Sequence, residues 1–147
     1  MDFNDYTTIE FPVFPHDQSI VYVLCFRRAD ASEEVPFYVG QSGRGLRRIA
    51  DYISAQFDAA TDFRVGVVVK ALQDAGATIS IKYKVSARRR EDETSLILEL
   101  RDNHALLNTE HSYDYRTADR ETQRERFKTI ARKLLDGTYR PGTDDGS

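Results

Sequence analysis

The sequence is poor in the residues that build disulfide frameworks and zinc sites. It contains one cysteine, Cys25, and three histidines, His16, His104 and His111. A single cysteine cannot form a disulfide within the chain, and in an apolar segment it is expected to be a small buried hydrophobe. The histidines are too scattered to form a zinc site or a catalytic triad. These absences exclude a disulfide-stapled secreted scaffold, and we expect an intracellular, cytoplasmic protein.

Long hydrophobic runs are also missing. No stretch approaches the roughly 18 apolar residues that a membrane-spanning helix requires, and the acidic, polar start of the chain is unlike a signal peptide. Hydrophobic residues make up 40% of the sequence and charged residues 31%, as is ordinary for a soluble globular protein. At 147 residues we expect one domain without a membrane partner. The formal net charge of −3 argues against strong nonspecific binding of DNA by overall charge.

Residues 35–48 combine a strand-like segment, a glycine turn and the basic start of a helix. The strand formers are followed by three closely spaced glycines, Gly40, Gly43 and Gly45. From there, apolar residues recur at helical spacing, which predicts a helix at about residues 45–57. Arg48 and Tyr52 are four residues apart, so they share one face of that helix. A guanidinium and a phenol beside a glycine turn can hold a phosphate.

An apolar run just upstream, residues 19–26, predicts a strand that is covered on both faces. Its Ile20-Val21-Tyr22, together with the later Tyr38-Val39-Gly40, resembles the two signature tripeptides of the GIY-YIG nuclease superfamily. The sequence departs from that signature at Ile20, where the family has glycine, and at Val21, where it has isoleucine. The resemblance covers roughly residues 19–108. Further matches follow in the order of the family, namely Arg48, Tyr52, Glu93 and Leu106-Leu107-Asn108.

The resemblance implies an α+β fold in which a small three-stranded antiparallel sheet is flanked by helices. Residues 1–18 form an N-terminal extension with a possible edge strand at 7–11, and residues 19–110 form the nuclease-like domain. Residues 111–138 add a C-terminal helical extension of the same domain, and residues 139–147 form a disordered tail. Spacing of apolar residues predicts strands and helices within these bounds, with strands at 19–26, 35–40 and 77–86 and helices at 61–75, 91–104 and 118–137.

Two of the predicted helices carry ambiguous signals. Residues 67–69 are three consecutive valines and would also suit a strand, although the residues after them favour a helix capped by Asp62 and Gly76. The helix at 118–137 mixes both signs of charge, which predicts a solvated face. Its basic residues are Arg120, Arg124, Arg126, Lys128, Arg132 and Lys133.

The resemblance also implies the roles of individual residues. The tyrosine that matches Tyr22 is a candidate general base in the family, the one that matches Tyr38 lines the same site, and Arg48 matches the catalytic arginine. A glutamate would hold Mg²⁺ or Mn²⁺. We expect the two phenols, the guanidinium and this carboxylate to line a single cleft. The substrate would be bound by Gly40, Ser42, Arg44, Tyr52 and Asn108.

Two glutamates are candidates for the metal ligand. Glu93 shares a helix face with Leu96, Ile97 and Leu100 and matches the glutamate of the family, whereas Glu99 points about 100° away from Leu100 on an ideal helix. The interval to Asn108 is longer than the family suggests for Glu93 and shorter than it suggests for Glu99. The position on the helix favours Glu93 as the metal ligand, whereas the interval to Asn108 does not decide between the two glutamates.

The function implied is a metal-dependent endonuclease that hydrolyses phosphodiester bonds in nucleic acid, with DNA as the favoured substrate. One alternative is a catalytically weak or inactive GIY-YIG-like module that binds nucleic acid or protein, which the acidic net charge supports. A second alternative is a structural or interaction domain that shares only local motifs with the family.

Overall fold

The computed structural model describes residues 3, 5–8, 18–43, 60–109 and 119–141 of the chain. They form an α+β fold with a four-stranded antiparallel sheet and three α-helices. The helix predicted at 45–57 and the candidate residues Arg44, Arg48 and Tyr52 lie outside the described residues.

The sheet is built around the apolar strand near the start of the predicted domain. Its strands are β1 (Thr7–Thr8), β2 (Ile20–Arg27), β3 (Val35–Ser42) and β4 (Thr78–Val85), in the spatial order β1-β4-β2-β3. The three long strands confirm the predicted antiparallel sheet. The fourth is the short edge strand, which pairs Thr7 with Tyr83 and Thr8 with Lys82.

Strand β2 is apolar on both faces because the sheet is covered on both sides. Ile20, Tyr22, Leu24 and Phe26 lie in one cluster of buried side chains, whereas Val21, Val23 and Cys25 lie in another. The second cluster also packs against Phe3 and Tyr6 of the N-terminal segment. The prediction of a strand covered on both faces is therefore confirmed.

Two helices cover the first face of the sheet and pack against it through the larger of the two clusters of buried side chains. Helix α1 (Ala60–Asp74) and helix α3 (Arg120–Asp136) pack against each other over this face. Their inward residues have helical spacing, which explains why the valine run is helical despite its β-propensity. These residues are Val65, Val68, Val69 and Leu72 in α1 and Phe127, Ile130, Ala131 and Leu134 in α3.

Helix α2 (Arg89–Leu100) covers the second face, where Leu96 and Leu100 pack against Val21, Val23 and Val39. The prediction placed its end four residues later, but residues 101–104 form turns instead, and the backbone N–H groups of Asn103 and His104 both bond to Leu100 O. A short 3₁₀ helix, Leu107–Thr109, follows.

The helix ends show which capping signals were correct. Gly76 has a φ of 93°, and the N–H groups of Gly76 and Ala77 bond back to Gln73 and Leu72, so Gly76 ends α1 as predicted. The predicted N-cap is wrong, because α1 begins at Ala60 and Asp62 lies inside its first turn. In α3, the carboxylate of Asp119 accepts a hydrogen bond of 2.8 Å from Thr122 N.

Residues 137–139, directly after α3, are held by backbone hydrogen bonds and by packing on the core. Gly137 adopts a left-handed conformation with a φ of 74°, which turns the backbone so that Thr138 N bonds to Lys133 O. Tyr139, which the sequence analysis assigned to the tail, is only 3% exposed and packs in the first cluster. The predicted start of the disordered tail is therefore wrong for Tyr139. No described helix is long and apolar enough to cross a membrane.

Candidate functional site at the edge strand

The pairing of β2 with β3 brings the two signature-like tripeptides side by side. In the register of the hairpin, Tyr22 is opposite Gly40 and Leu24 is opposite Tyr38. Tyr22 and Tyr38 therefore lie on the same face, and their ring centroids are 6.5 Å apart. The two tyrosines that the sequence analysis selected are therefore neighbours in the fold.

Gly40 is a glycine because the ring of Tyr22 lies across it. A Cβ atom at position 40 would be 2.2 Å from Cζ of Tyr22, which is far inside any allowed contact. The departure from the signature at Ile20 has an equally local reason. Ile20 is fully buried in the cluster between the sheet and helices α1 and α3, so the larger side chain fills core volume.

We expect the Gly40→Ala variant to be destabilised by about 1–3 kcal/mol, because the added methyl group must displace the Tyr22 ring from a packed position. The matched control is Gly43→Ala, where the nearest atoms belong to the flexible guanidinium of Arg89 at 3.2 Å. Denaturant unfolding measures both variants. Equal stability of the two variants would show that the Tyr22 ring does not occupy the space above Gly40.

The two tyrosines differ in their access to solvent. Tyr22 is only 2% exposed and is part of the core cluster, whereas Tyr38 is half-buried and packs at the margin of that cluster. A side chain that meets a macromolecular substrate needs exposed atoms. Of the two, Tyr38 is therefore better placed for contact, and Tyr22 is better placed to support it.

Asn108 lies in the 3₁₀ helix and pairs with the outer edge of β3. Its Oδ1 accepts a hydrogen bond of 2.8 Å from Val39 N, and its Nδ2 donates one of 2.6 Å to Val39 O. The side-chain amide thus provides hydrogen-bond partners for the N–H and C=O groups of Val39, which an edge strand would otherwise leave unpaired. Asn108 holds the backbone between Tyr38 and Gly40, which makes it a positioning residue for this edge.

Glu93 lies on α2, which packs on the second face of the sheet. One turn before it, Arg89 Nε donates a hydrogen bond of 2.7 Å to Gln41 Oε1 on β3, so this side of the helix faces β3. Glu93 is half-buried, and burial raises the pKa of its carboxyl group. Within the described part of the chain, its carboxylate has no hydrogen bond or ion pair that would compensate its charge.

Glu99, the rival metal ligand, occupies another side of the same helix. It is exposed, and together with Asp92 it contributes to the raised pKa of Tyr6, whose main cause is burial. Tyr6 belongs to the N-terminal segment, whose Thr7 pairs with β4 rather than with β3. Of the two glutamates, Glu93 is thus the one on the side of α2 that faces β3.

The expected single cleft is not what the described residues form. Tyr22 and Tyr38 lie on the face covered by α1 and α3, whereas the helix that carries Glu93 packs on the opposite face. Tyr38 belongs to the edge strand β3 and Tyr22 to the neighbouring β2, whereas Glu93 lies on the side of α2 that carries Arg89, which bonds to β3. The prediction that the two phenols and the carboxylate line one cleft is therefore wrong for the described residues. Ser42 lies half-buried at the end of this strand.

The sequence analysis did not select Arg89, which is one of three consecutive arginines at residues 88–90. Besides its bond to Gln41, its guanidinium donates to Ser19 Oγ over 3.5 Å and lies 3.2 Å from a Cβ built at Gly43. Through these contacts, Arg89 holds the C-terminal end of β3 in place. Arg48 follows further along the chain. The clustering of arginines before the helix was the available signal, but it did not distinguish Arg89 from its neighbours.

Comparisons with protein-family models, with curated proteins and with solved structures give no match for this chain. Among the described residues, no group of three or more histidine, cysteine, aspartate or glutamate side chains is placed to hold a metal ion.

Proposed function

We propose that this protein is a metal-dependent endonuclease of the GIY-YIG type, which hydrolyses phosphodiester bonds in nucleic acid, with DNA as the favoured substrate. The observation that carries the proposal is the register of β2 and β3. It sets Tyr22 over Gly40 and beside Tyr38, so the tripeptides that resemble the family signature are also neighbours in space.

The half-buried phenol of Tyr38 is the group proposed to meet the scissile phosphate and its attacking water. A phenol has a pKa of about 10, and a neighbouring positive charge lowers that pKa toward a value useful for general base catalysis. Arg48 would supply such a charge and pair with the phosphate through its guanidinium fork. Tyr22, buried against Gly40, would hold the Tyr38 ring in place.

Glu93 is the residue proposed to hold Mg²⁺ or Mn²⁺. Its half-buried carboxylate has a raised pKa and no compensating partner among the described residues, which fits a group that a cation would complement. A site of this kind needs only one or two carboxylates, because Mg²⁺ keeps most of its water ligands. When bound, the ion supplies charge stabilisation at the phosphate oxygens.

The second candidate function is a GIY-YIG-like module that binds nucleic acid without cutting it. Two observations favour it, namely the 2% exposure of Tyr22 and the position of Glu93 across the sheet from both tyrosines. A binding module would need neither an accessible base nor a carboxylate beside it.

The test is a cleavage assay on supercoiled plasmid, linear duplex, single-stranded DNA and RNA, with Mg²⁺, with Mn²⁺ and with a chelator. We expect cleavage that requires the metal ion on at least one substrate. A Glu93→Gln preparation, purified in the same way, detects contaminating nuclease. Tight binding of a substrate with no cleavage under any metal condition would establish the binding module in place of the enzyme.

A further inference from the structure

A groove runs between helices α1 and α3, which pack against each other over the first face of the sheet. Its volume is about 670 Å³, and one wall comes from α1 and the other from α3. Charged side chains along it are five cations, Lys70, Arg120, Arg124, Lys128 and Arg132, and one carboxylate, Asp74. In a chain with a formal net charge of −3, this is a marked local excess of positive charge.

The basic residues of α3 follow a regular spacing. Arg120, Arg124, Lys128 and Arg132 recur every fourth residue, so they lie along one side of the helix at intervals of about 6 Å. The core residues of α3, such as Phe127 and Ile130, occupy a different side and pack against the sheet. The helix for which mixed charge predicted a solvated face thus presents a row of basic residues along the groove.

The ion pairs of these cations are weak competitors for an anion. Lys70 pairs with Asp74 at 3.3 Å, Lys128 pairs with Glu125 at 3.7 Å, and Arg124 pairs with Glu121. All three pairs link exposed or largely exposed side chains within one helix, where such pairs contribute little. Exchange of these three pairs for contacts with phosphate groups would therefore cost little.

We propose that this groove binds the sugar–phosphate backbone of nucleic acid. A row of arginines and lysines at regular intervals complements a chain of regularly spaced phosphates, and the arginine fork suits phosphate oxygens in particular. The α1 wall combines Lys70 and Asp74 with small or apolar residues such as Gly66, Val67 and Ala71. The choice of nucleic acid as the occupant rests on the proposed function, and the groove lies on the same side of the sheet as Tyr22 and Tyr38.

The experiment is a fluorescence-anisotropy titration of the full chain against a labelled 20-base-pair DNA duplex and the matching single strand, in chelator so that no cleavage occurs. The groove variant is Arg124→Gln/Lys128→Gln/Arg132→Gln. Its matched control, Arg27→Gln/Lys84→Gln/Arg101→Gln, removes the same charge from exposed positions that do not line the groove. Circular dichroism and thermal unfolding establish that both variants are folded.

We expect the groove variant to bind at least about tenfold more weakly at moderate salt, without regard to DNA sequence. The slope of log K against log salt concentration should become shallower by about 2 to 3, since each phosphate contact contributes about 0.9 on duplex DNA. The control should keep most of the affinity and slope of the wild-type chain. Equal losses in both triple variants would overturn the proposal, because the effect would then be one of net charge.

Two further measurements separate this inference from the proposed endonuclease. If polyglutamate competes with DNA at equal charge concentration and binds with the same salt slope, the groove accepts acidic protein segments and the assignment to nucleic acid is wrong. If the groove variant loses binding but the wild-type chain never cleaves, the proposed enzyme fails while the groove stands. If the chain cleaves and the groove variant binds DNA like the control, the groove inference fails while the enzyme stands.

Discussion

Replacement of Glu93 by glutamine is expected to abolish Mg²⁺-dependent cleavage, while the same replacement of Glu99 leaves cleavage close to that of the wild-type chain. Glutamine keeps the size of the side chain and removes its charge, so packing on the sheet is largely preserved. Glu93 is half-buried on the side of α2 that faces β3, whereas Glu99 is exposed. Loss of the only proposed protein ligand removes the charge that holds the ion.

Stability distinguishes a functional role of Glu93 from a structural one. Burial raises the pKa of its carboxyl group, so the folded chain disfavours the ionised form. A carboxyl group with a raised pKa costs stability as the pH rises through its titration range, and this cost is absent at a pH below the usual range for glutamate. Glu93→Gln should therefore be at least as stable as the wild-type chain at neutral pH, with the advantage lost in acid. Thermal unfolding across pH measures this difference.

Binding supplies the third readout for the same pair of variants. Affinity for nucleic acid comes mainly from lysine and arginine, so Glu93→Gln should bind uncleaved DNA as well as the wild-type chain or more tightly. Loss of cleavage in Glu99→Gln with full activity in Glu93→Gln would move the metal ligand to Glu99. A Glu93→Gln protein that is inactive and also less stable at neutral pH would make Glu93 a structural residue.

Helices and strands with buried side chains could be predicted from the sequence, because the spacing of their apolar residues matches the period of the element. The alternation of β2 predicted two covered faces, and both are covered. Val65, Val68, Val69 and Leu72 keep helical spacing within a β-rich run, and the buried stripe decided in favour of a helix. Gly76 marked the end of α1, since only a glycine adopts its φ of 93° without strain.

Other features depend on contacts that a one-dimensional pattern does not contain. Helical phase predicted that Glu93 faces the sheet, but the connections between elements decide which face α2 covers. The pairing of Asn108 with Val39 depends on where the 3₁₀ helix meets the outer edge of β3. Tyr139 is buried because Gly137 turns the chain back onto the first cluster, and a nearby run of polar residues concealed that contact.

Replacement of Arg48 by alanine is expected to reduce cleavage by about a hundredfold or more, with little change in the free energy of unfolding. Arg48 lies outside the described residues, so this prediction depends on sequence alone, namely its interval from Gly40 and its helical phase with Tyr52. A guanidinium that stabilises charge on the phosphate in the transition state contributes on this scale, as the loss of a single oxyanion donor does elsewhere. The loss should fall mainly on kcat, with a smaller effect on binding of substrate.

The neighbouring arginine provides the matched control for this prediction. The Arg47→Ala variant removes the same charge from the same segment. On an ideal helix, however, the Arg47 side chain points about 100° away from that of Arg48. Arg47→Ala should therefore weaken binding slightly through lost phosphate attraction and leave kcat nearly unchanged. Equal reductions of kcat in both variants would show that the segment contributes only positive charge. A loss of thermal stability in Arg48→Ala that parallels its loss of activity would make Arg48 structural. A loss of kcat in Arg48→Ala alone would instead show that Arg48 takes part in the reaction. Its interval from Gly40 is the one that the family motif requires.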